Sequence, residues 1–164
     1  MVGPEGKVHR PNGTGDTRFD LEIAAVICRP KKPKLKASEA RECIFGYTLM
    51  QSWFTDDTFT AALGLCIVTA DEFNTAEEVV AHVNGRLWSA GLVADATSSF
   101  AEQIVRAAKK EELMPGEIFG SGTIGRIHPD HKPPRTDATV EVEHPSIGVL
   151  TNEVAGGPRR REVS

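Results

Sequence analysis

The chain has 164 residues, of which 40% are hydrophobic and 26% charged, and its formal net charge at pH 7 is −4. This is the composition of a soluble globular domain, and the acidic balance argues against nucleic acid or an anionic membrane as a partner of the whole chain. No apolar run reaches the roughly 18–20 residues of a membrane span and the N-terminal region lacks a signal-peptide core, so we expect a cytoplasmic protein.

The N-terminal part of the sequence leads into a strand that carries two acidic residues. Residues 1–18 are rich in polar residues, glycine and proline, and we interpret them as a leader segment. A β-branched-rich strand is predicted from Phe19 to Cys28. Because side chains alternate along a strand, Asp20 and Glu22 share one face, with their Cα atoms roughly 6.5–7 Å apart. Both faces are apolar after Glu22, so we expect this strand to lie inside a sheet.

Short elements are predicted in the next part of the chain. Ser38 is expected to cap a short helix over residues 38–45. The sequence then favours extended structure over residues 47–53 and a second buried strand over residues 62–69. Three cysteines lie in or beside these apolar segments, and we expect them to be buried thiols in a reducing compartment: Cys28, Cys43 and Cys66.

A hairpin and a helix follow, each with a strong local signal. Asn84-Gly85 lies between the extended runs 79–83 and 86–91. This pair is typical of a hairpin, because a type I′ turn needs positive φ at both central residues. Ser99 and Glu102 have the spacing of a capping box, which predicts the start of an amphipathic helix.

A glycine-rich loop follows the helix. Pro115-Gly116 suits a type II turn, and a short strand over residues 117–119 then leads into the glycine-rich segment 120–125. Glycines let a backbone approach a bound carboxylate or enolate closely, so this loop is a candidate binding site. Strands over residues 139–143 and 147–154 complete a single domain over residues 19–155, and residues 156–164 are expected to be a disordered tail.

The region from Asn84 to Gly125 resembles the C-terminal catalytic domain of the fumarylacetoacetate hydrolase (FAH) family, in the ordered series NGR…SAG…SF…I…L-x-PGE-x-x-GSGT-x-G. Residues 19–27 resemble the family's Glu-x-Glu strand, and residues 139–154 resemble its closing pair of strands. The resemblance implies an α+β, mainly β fold, with a rolled mixed sheet and a few short helices, usually in a homodimer. Members cleave, hydrate, decarboxylate or isomerise 1,3-dicarbonyl and 2-keto acid substrates at a divalent metal.

The same resemblance assigns candidate site residues. Asp20 and Glu22 take the positions of the family's first two metal carboxylates and are our candidate catalytic residues. The third ligand, an aspartate in the family, falls at Ser52, so an anionic ligand is replaced by a hydroxyl. We therefore expect a vestigial metal site and no cofactor, with Mg²⁺ or Mn²⁺ bound only if the site persists. Thr123 matches the family's substrate-binding threonine, and the candidate substrate-binding residues are Gln51, Ser52, Trp53, Gly122 and Thr123.

Three functions remain open. The first is a diverged enzyme that acts on an enolisable 1,3-dicarbonyl or 2-keto acid by a non-hydrolytic, metal-independent isomerisation, decarboxylation or cyclisation, for example in a biosynthetic pathway. The second is a metal-dependent C–C bond hydrolase in which Asp56 or Asp57 completes the site with Asp20 and Glu22. The third is a non-catalytic scaffold or partner subunit. We favour the first, and we expect a small-molecule substrate, a homodimer, and neither nucleic acid nor membrane as a partner.

Overall fold

The computed structural model describes residues 1–9, 17–29, 35–54, 59–96, 98–125 and 132–156. Ten strands and two α-helices lie in these ranges, together with a short 3₁₀ turn at Val93–Asp95. The helices are α1 (Ala37–Arg41) and α2 (Phe100–Ala108). The strands are β1 (Lys7–His9), β2 (Arg18–Ile27), β3 (Ile44–Phe54), β4 (Phe59–Leu63), β5 (Val68–Thr69), β6 (Glu78–Val83), β7 (Arg86–Leu92), β8 (Ile118–Gly120), β9 (Thr139–His144) and β10 (Gly148–Ala155).

The strands form two curled sheets. One sheet has the strand order β1-β10-β9-β6-β7, and the other has the order β4-β3-β2-β8, with β5 also paired to β3. Only the β1–β10 pairing is parallel among these strands, which makes the first sheet mixed. The predicted mainly β fold with a few short helices is confirmed, and β2 lies inside its sheet between β3 and β8, as expected from its apolar faces.

One face of β2 supplies the core along the whole length of the strand. Phe19, Leu21 and Ile23 pack against the facing sheet, and further along Ala25 and Ile27 pack against the helices. Since side chains alternate, the residues between them point to the opposite face of the sheet. The two acidic residues of β2 belong to this second set, and a cleft opens on that face. The partners of β2 in the core include Leu49, Val140, Leu150, Ile104 and Ala108.

Gln51 ties the two sheets together inside the core. Its side chain is fully buried, its amide nitrogen donates to the Val140 oxygen at 3.3 Å and the Leu150 oxygen at 3.2 Å, and its oxygen accepts from the Trp53 ring nitrogen at 3.0 Å. Buried polar groups are costly when they have no partner, and this one amide serves three of them. Gln51 is therefore a structural residue of the interface between the sheets.

We expect Gln51→Leu to lower the free energy of unfolding by about 2–4 kcal/mol, because three buried polar groups lose their partner while side-chain volume is kept. Urea unfolding followed by circular dichroism measures this. The matched control is Gln103→Leu on α2, where the side chain is only half-buried and the expected loss is about 1 kcal/mol or less. Equal losses at the two positions would contradict the role of Gln51.

The local signals for the hairpin and for helix α2 are confirmed. Asn84 and Gly85 both have positive φ, 51° and 73°, between β6 and β7. At α2, the Ser99 hydroxyl accepts from the Glu102 backbone nitrogen, and the Glu102 carboxylate accepts from the Ser99 backbone nitrogen at 2.8 Å. Both patterns rest on interactions within a few residues, and such signals are readable without the tertiary structure.

The prediction for the first helix is wrong at both ends. Lys36, not Ser38, is the N-cap residue, because the Glu39 carboxylate accepts from the Lys36 backbone nitrogen at 2.8 Å and starts the helix earlier. The helix ends at Arg41, and β3 begins at Ile44. Gly46 lies within β3, where a Cβ atom would come within 2.3 Å of the Val68 oxygen. This glycine allows β5 to approach β3.

The prediction of one buried strand over residues 62–69 is also wrong. The segment 64–67 separates β4 from β5, and both strands pair with β3. Leu65 is 84% exposed and Cys66 is exposed as well, so the expectation of three buried thiols holds for Cys43 but not for Cys66, and Cys28 is half-buried. An apolar run cannot by itself show that the chain leaves the sheet between two pairing segments.

The described residues near the N-terminus pack against the two sheets. Val8 in β1 is buried in the core, and Val2 bridges to Ala62, so the segment interpreted as a leader packs against the sheets. The expected disordered tail lies outside the described residues except for Gly156. Within the described part of the chain, neither α-helix is long and apolar enough to cross a membrane.

Candidate active site

A cleft of about 460 Å³ opens on the face of β2 and β3 that points away from the core. Its walls come from β2, β3, β4, helix α2 and the segment from Gly120 to Thr123. The residues that line it are Glu22, Met50, Ser52, Phe54, Phe59, Ser98, Gln103, Arg106, Gly120, Ser121, Gly122 and Thr123. Four kinds of group therefore meet here: one carboxylate, one guanidinium, a set of hydroxyl and amide groups, and an apolar wall.

Glu22 is the buried carboxylate of this cleft, with 6% of its surface exposed. Its Oε2 accepts from the Gly122 backbone nitrogen at 3.0 Å, and the Ser52 side chain also forms a hydrogen bond with the carboxylate. Burial raises the pKa of the Glu22 carboxyl above its usual value; the hydrogen bonds from Ser52 and Gly122 oppose this rise, and the charge of Asp20 adds to it.

Two glycines allow Glu22 to occupy this place. Gly120 pairs with Ala24 across β8 and β2, and a Cβ atom on Gly120 would lie 2.4 Å from the Glu22 Oε2. The missing side chain at Gly120 leaves the room into which the carboxylate extends. Gly122 has φ of 76°, a left-handed conformation that glycine adopts without strain, and its N–H points to Glu22.

Ser121 fixes the loop between these glycines to the central strand. Its backbone nitrogen donates to the Ile23 oxygen at 2.8 Å, and its hydroxyl accepts from the Ile23 nitrogen at 3.1 Å. The same hydroxyl donates to the Gly122 oxygen at 2.7 Å. The loop is thus held rigidly beside β2, with Thr123 exposed at the mouth of the cleft.

The structure brings four of the predicted site residues together: Glu22, Ser52, Gly122 and Thr123 all line the cleft. Asp20 lies on the same face of β2, opposite Ser52 in the β2–β3 pairing, half-buried and outside the set of lining residues. The phase of the β2 strand thus puts both carboxylates on one face, as the alternation of side chains predicts.

Gln51 and Trp53 are not brought to this cleft. They flank Ser52 on β3, and their side chains therefore point to the opposite face. Both are buried between the two sheets, where they bond to each other and Trp53 also packs against Phe19. Trp53 is therefore a core residue in this structure.

Helix α2 supplies two cleft residues that the sequence analysis did not identify. Gln103 donates through its amide nitrogen to the Ser98 oxygen at 3.3 Å and the Ser121 oxygen at 3.4 Å, which joins the helix to the glycine-rich loop. Arg106 lies one turn further along the same helix face. Gln103 and Arg106 are three residues apart on the polar side of an amphipathic helix, so the sequence shows that they share a helix face. The sequence does not show that this face lines the cleft.

The residues of the cleft fit a divalent metal poorly. The family resemblance implies three carboxylate ligands, whereas Asp20 and Glu22 supply two and Ser52 supplies a neutral hydroxyl that is bonded to Glu22. Mg²⁺ loses its water reluctantly, so the lost anionic ligand weakens its binding. Within the described residues, no three His, Cys, Asp or Glu side chains are grouped closely enough to hold a metal ion. Asp56 and Asp57, the alternative ligands, lie outside the described residues.

Comparisons with known proteins agree with this architecture. A family model for the C-terminal domain of fumarylacetoacetate (FAA) hydrolase matches residues 1–155. No match was found in a comparison with curated proteins. Among solved structures, a 2-hydroxyhepta-2,4-diene-1,7-dioate isomerase from Mycobacterium marinum is 24% identical with a TM-score of 0.82, over 97% of this chain and 66% of that one.

Two further structures have the same fold. A fumarylacetoacetate hydrolase from the psychrophilic Exiguobacterium antarcticum is 24% identical with a TM-score of 0.82, over 94% of this chain and 62% of that one. A fumarylpyruvate hydrolase from Pseudomonas aeruginosa, in complex with Mn²⁺ and pyruvate, is 16% identical with a TM-score of 0.78, over 94% of this chain and 73% of that one. The chain spans less than two thirds of the length of the isomerase and of the first hydrolase.

Proposed function

Because the chain belongs to the fumarylacetoacetate hydrolase family, through that family's C-terminal domain, we propose that it is an enzyme acting on an enolisable 2-keto acid or 1,3-dicarbonyl compound. The reaction is a non-hydrolytic, metal-independent step that begins with proton transfer at the carbon next to the keto group. The observation that carries the proposal is the buried carboxylate of Glu22, which faces a cleft lined by hydroxyl and amide groups.

Glu22 acts as the acid–base group in this proposal. It takes the proton from carbon, the electron pair of the C–H bond becomes the C=C bond of an enolate, and the proton returns to the same or a conjugated carbon. Burial raises the pKa of the Glu22 carboxyl, which makes the ionised group a better proton acceptor. The bonds from Ser52 and Gly122 hold it in one orientation.

In this proposal, the Thr123 hydroxyl donates a hydrogen bond to the substrate oxygen on which negative charge develops. An enolate carries this charge on oxygen, and a hydroxyl donor in a cleft stabilises it as it develops. Thr123 lines the cleft and is exposed within it, whereas the neighbouring Gly122 N–H already donates to Glu22. The threonine hydroxyl is therefore the available donor of this loop.

Deuterium exchange tests the proposal. We expect the protein, incubated with EDTA in D₂O, to accelerate exchange at the carbon next to the keto group of phenylpyruvate or oxaloacetate, followed by proton NMR. Exchange that stops with EDTA and returns with Mn²⁺ would support the metal-dependent hydrolase instead. Exchange at the rate of protein-free buffer under both conditions would support a non-catalytic scaffold.

We also propose that the chain forms a homodimer. The segment 64–67 and the start of β3 expose large apolar side chains: Leu65 is 84% exposed, Ile67 is 46% exposed and Phe45 is 49% exposed. Apolar patches of this kind commonly mark interaction sites. We expect light scattering at micromolar concentration to give twice the monomer mass of 17.8 kDa, and Leu65→Asp to shift the mass toward that of the monomer. A monomer for the unmodified chain would contradict the proposal.

A further inference from the structure

We propose that Arg106 of helix α2 binds the carboxylate of the substrate, opposite the Phe54–Phe59 wall, and that the preferred substrate is therefore a 2-keto acid with an apolar or aromatic substituent. This inference rests on the proposed function and names the substrate class of the same cleft. A keto acid brings a negative charge toward Glu22, and a cleft whose residues fit a metal poorly needs another cation to hold that charge.

Arg106 is the only cation among the described residues that line the cleft. An arginine side chain offers a planar set of donors that matches a carboxylate, which a solvated lysine does not offer in the same geometry. The helix that carries Arg106 is fixed to the glycine-rich loop. The amide of Gln103, three residues earlier on the helix, donates to the Ser98 and Ser121 oxygens. The backbone of Arg106 is therefore held beside the cleft, and its side chain reaches into the cleft lining.

The nearest acidic neighbour of Arg106 on the helix is already engaged. Glu102 lies four residues earlier, and its Oε2 accepts from the Ser99 nitrogen at 2.8 Å and from the Ser99 hydroxyl at 3.0 Å. Those two hydrogen bonds are the main causes of the lowered pKa of Glu102, and Arg106 contributes least. Arg106 is exposed, so its guanidinium is free to meet a ligand.

The opposite wall of the cleft is apolar. The rings of Phe54 and Phe59 lie 5.3 Å apart in a tilted pair, and they are 38% and 59% exposed. Met50, nearly buried, continues this wall toward Glu22. Exposed aromatic pairs gain by covering an apolar or aromatic group, since ring pairs are stabilised beyond the area they bury. A substituent such as a phenyl group fits this wall, whereas the methyl group of pyruvate leaves it uncovered.

The test compares a keto acid with the ketone that lacks its carboxylate. With phenylpyruvate, Arg106→Ala is expected to raise KM for deuterium exchange by about 10–100-fold with little change in kcat, because a charge-assisted hydrogen bond is lost. With phenylacetone, the same variant should behave like the unmodified protein. Arg106→Lys should restore part of the affinity, and Lys110→Ala is the matched control, since this cation lies just beyond the C-terminal end of α2 and does not line the cleft.

Binding is measured separately from turnover. Saturation-transfer NMR with phenylpyruvate and with pyruvate gives dissociation constants whether or not exchange is accelerated, and we expect phenylpyruvate to bind more tightly and to lose that binding in Arg106→Ala. Equal losses for phenylpyruvate and phenylacetone, or no loss for either, would overturn the assignment of Arg106 while the proposed function stands. Binding through Arg106 without any accelerated exchange would instead refute the proposed proton transfer.

Discussion

Glu22→Gln is expected to slow deuterium exchange at the carbon next to the keto group of phenylpyruvate by about 10²–10⁴-fold, the range that one positioned acid–base group contributes. The amide keeps the size of the carboxylate and an oxygen that accepts from the Gly122 nitrogen, so the loop is retained. It has no basic oxygen that takes a proton from carbon at neutral pH. The loss should therefore appear in kcat, with KM for phenylpyruvate nearly unchanged.

The matched control for this variant is Glu78→Gln, the same substitution at an exposed position of strand β6. It should leave the rate of exchange unchanged. Circular dichroism and thermal unfolding verify that both variants are folded. If Glu22→Gln retains the full rate of exchange, another group removes the proton and the assignment of Glu22 is wrong.

Gly120→Ala provides an independent check of the same geometry. The added methyl group meets the Glu22 Oε2 at 2.4 Å and the Met50 sulfur at 3.4 Å. Because a glutamate side chain is flexible, the carboxylate moves aside at small cost in stability, and its position in the cleft is lost. We expect the rate of exchange to fall toward that of Glu22→Gln, whereas Gly3→Ala, where a Cβ meets nothing within 4 Å, should have no effect.

The predictions that hold are those whose physical cause lies within a few residues. Asn84-Gly85 and the Ser99 capping box determine a turn and a helix start locally, and the period of two along β2 determines that Glu22 and Asp20 share a face. The family resemblance added the fold and the places of Ser52 and Thr123. Together these locate one wall of the cleft.

The remaining wall depends on how distant elements pack. Arg106 lines the cleft because α2 docks beside the glycine-rich loop, through the Gln103–Ser121 bond, over a separation of 18 residues. Gln51 and Trp53 point away from the cleft because their strand phase is opposite to that of Ser52. Residues 62–69 pair with β3 in two separate stretches. The apolar residues of this run do not indicate that pairing with β3 is interrupted over residues 64–67.

The side chain at position 52 is expected to determine whether the cleft binds a divalent metal. We expect calorimetry to detect no stoichiometric Mg²⁺ or Mn²⁺ binding by the unmodified chain at millimolar metal, because Ser52 supplies a neutral oxygen where the family has a carboxylate. Ser52→Asp should create measurable Mn²⁺ binding. Ser52 is opposite Asp20 in the β-pairing and bonded to Glu22, so the new carboxylate would join two others on one face.

Ser52→Asn is the matched control, because it has nearly the same size without the charge. Ser52 is 1% exposed, so an added carboxylate beside Glu22 should destabilise the metal-free protein through burial and like-charge repulsion. Mn²⁺ should restore stability in Ser52→Asp alone, by about 2.7 kcal/mol at a metal concentration 100 times the dissociation constant. Thermal unfolding with and without Mn²⁺ measures this difference. Tight binding of Mn²⁺ by the unmodified chain would refute the metal-independent mechanism. If Mn²⁺ changes the stability of Ser52→Asp and Ser52→Asn equally, Ser52 does not face a potential metal position.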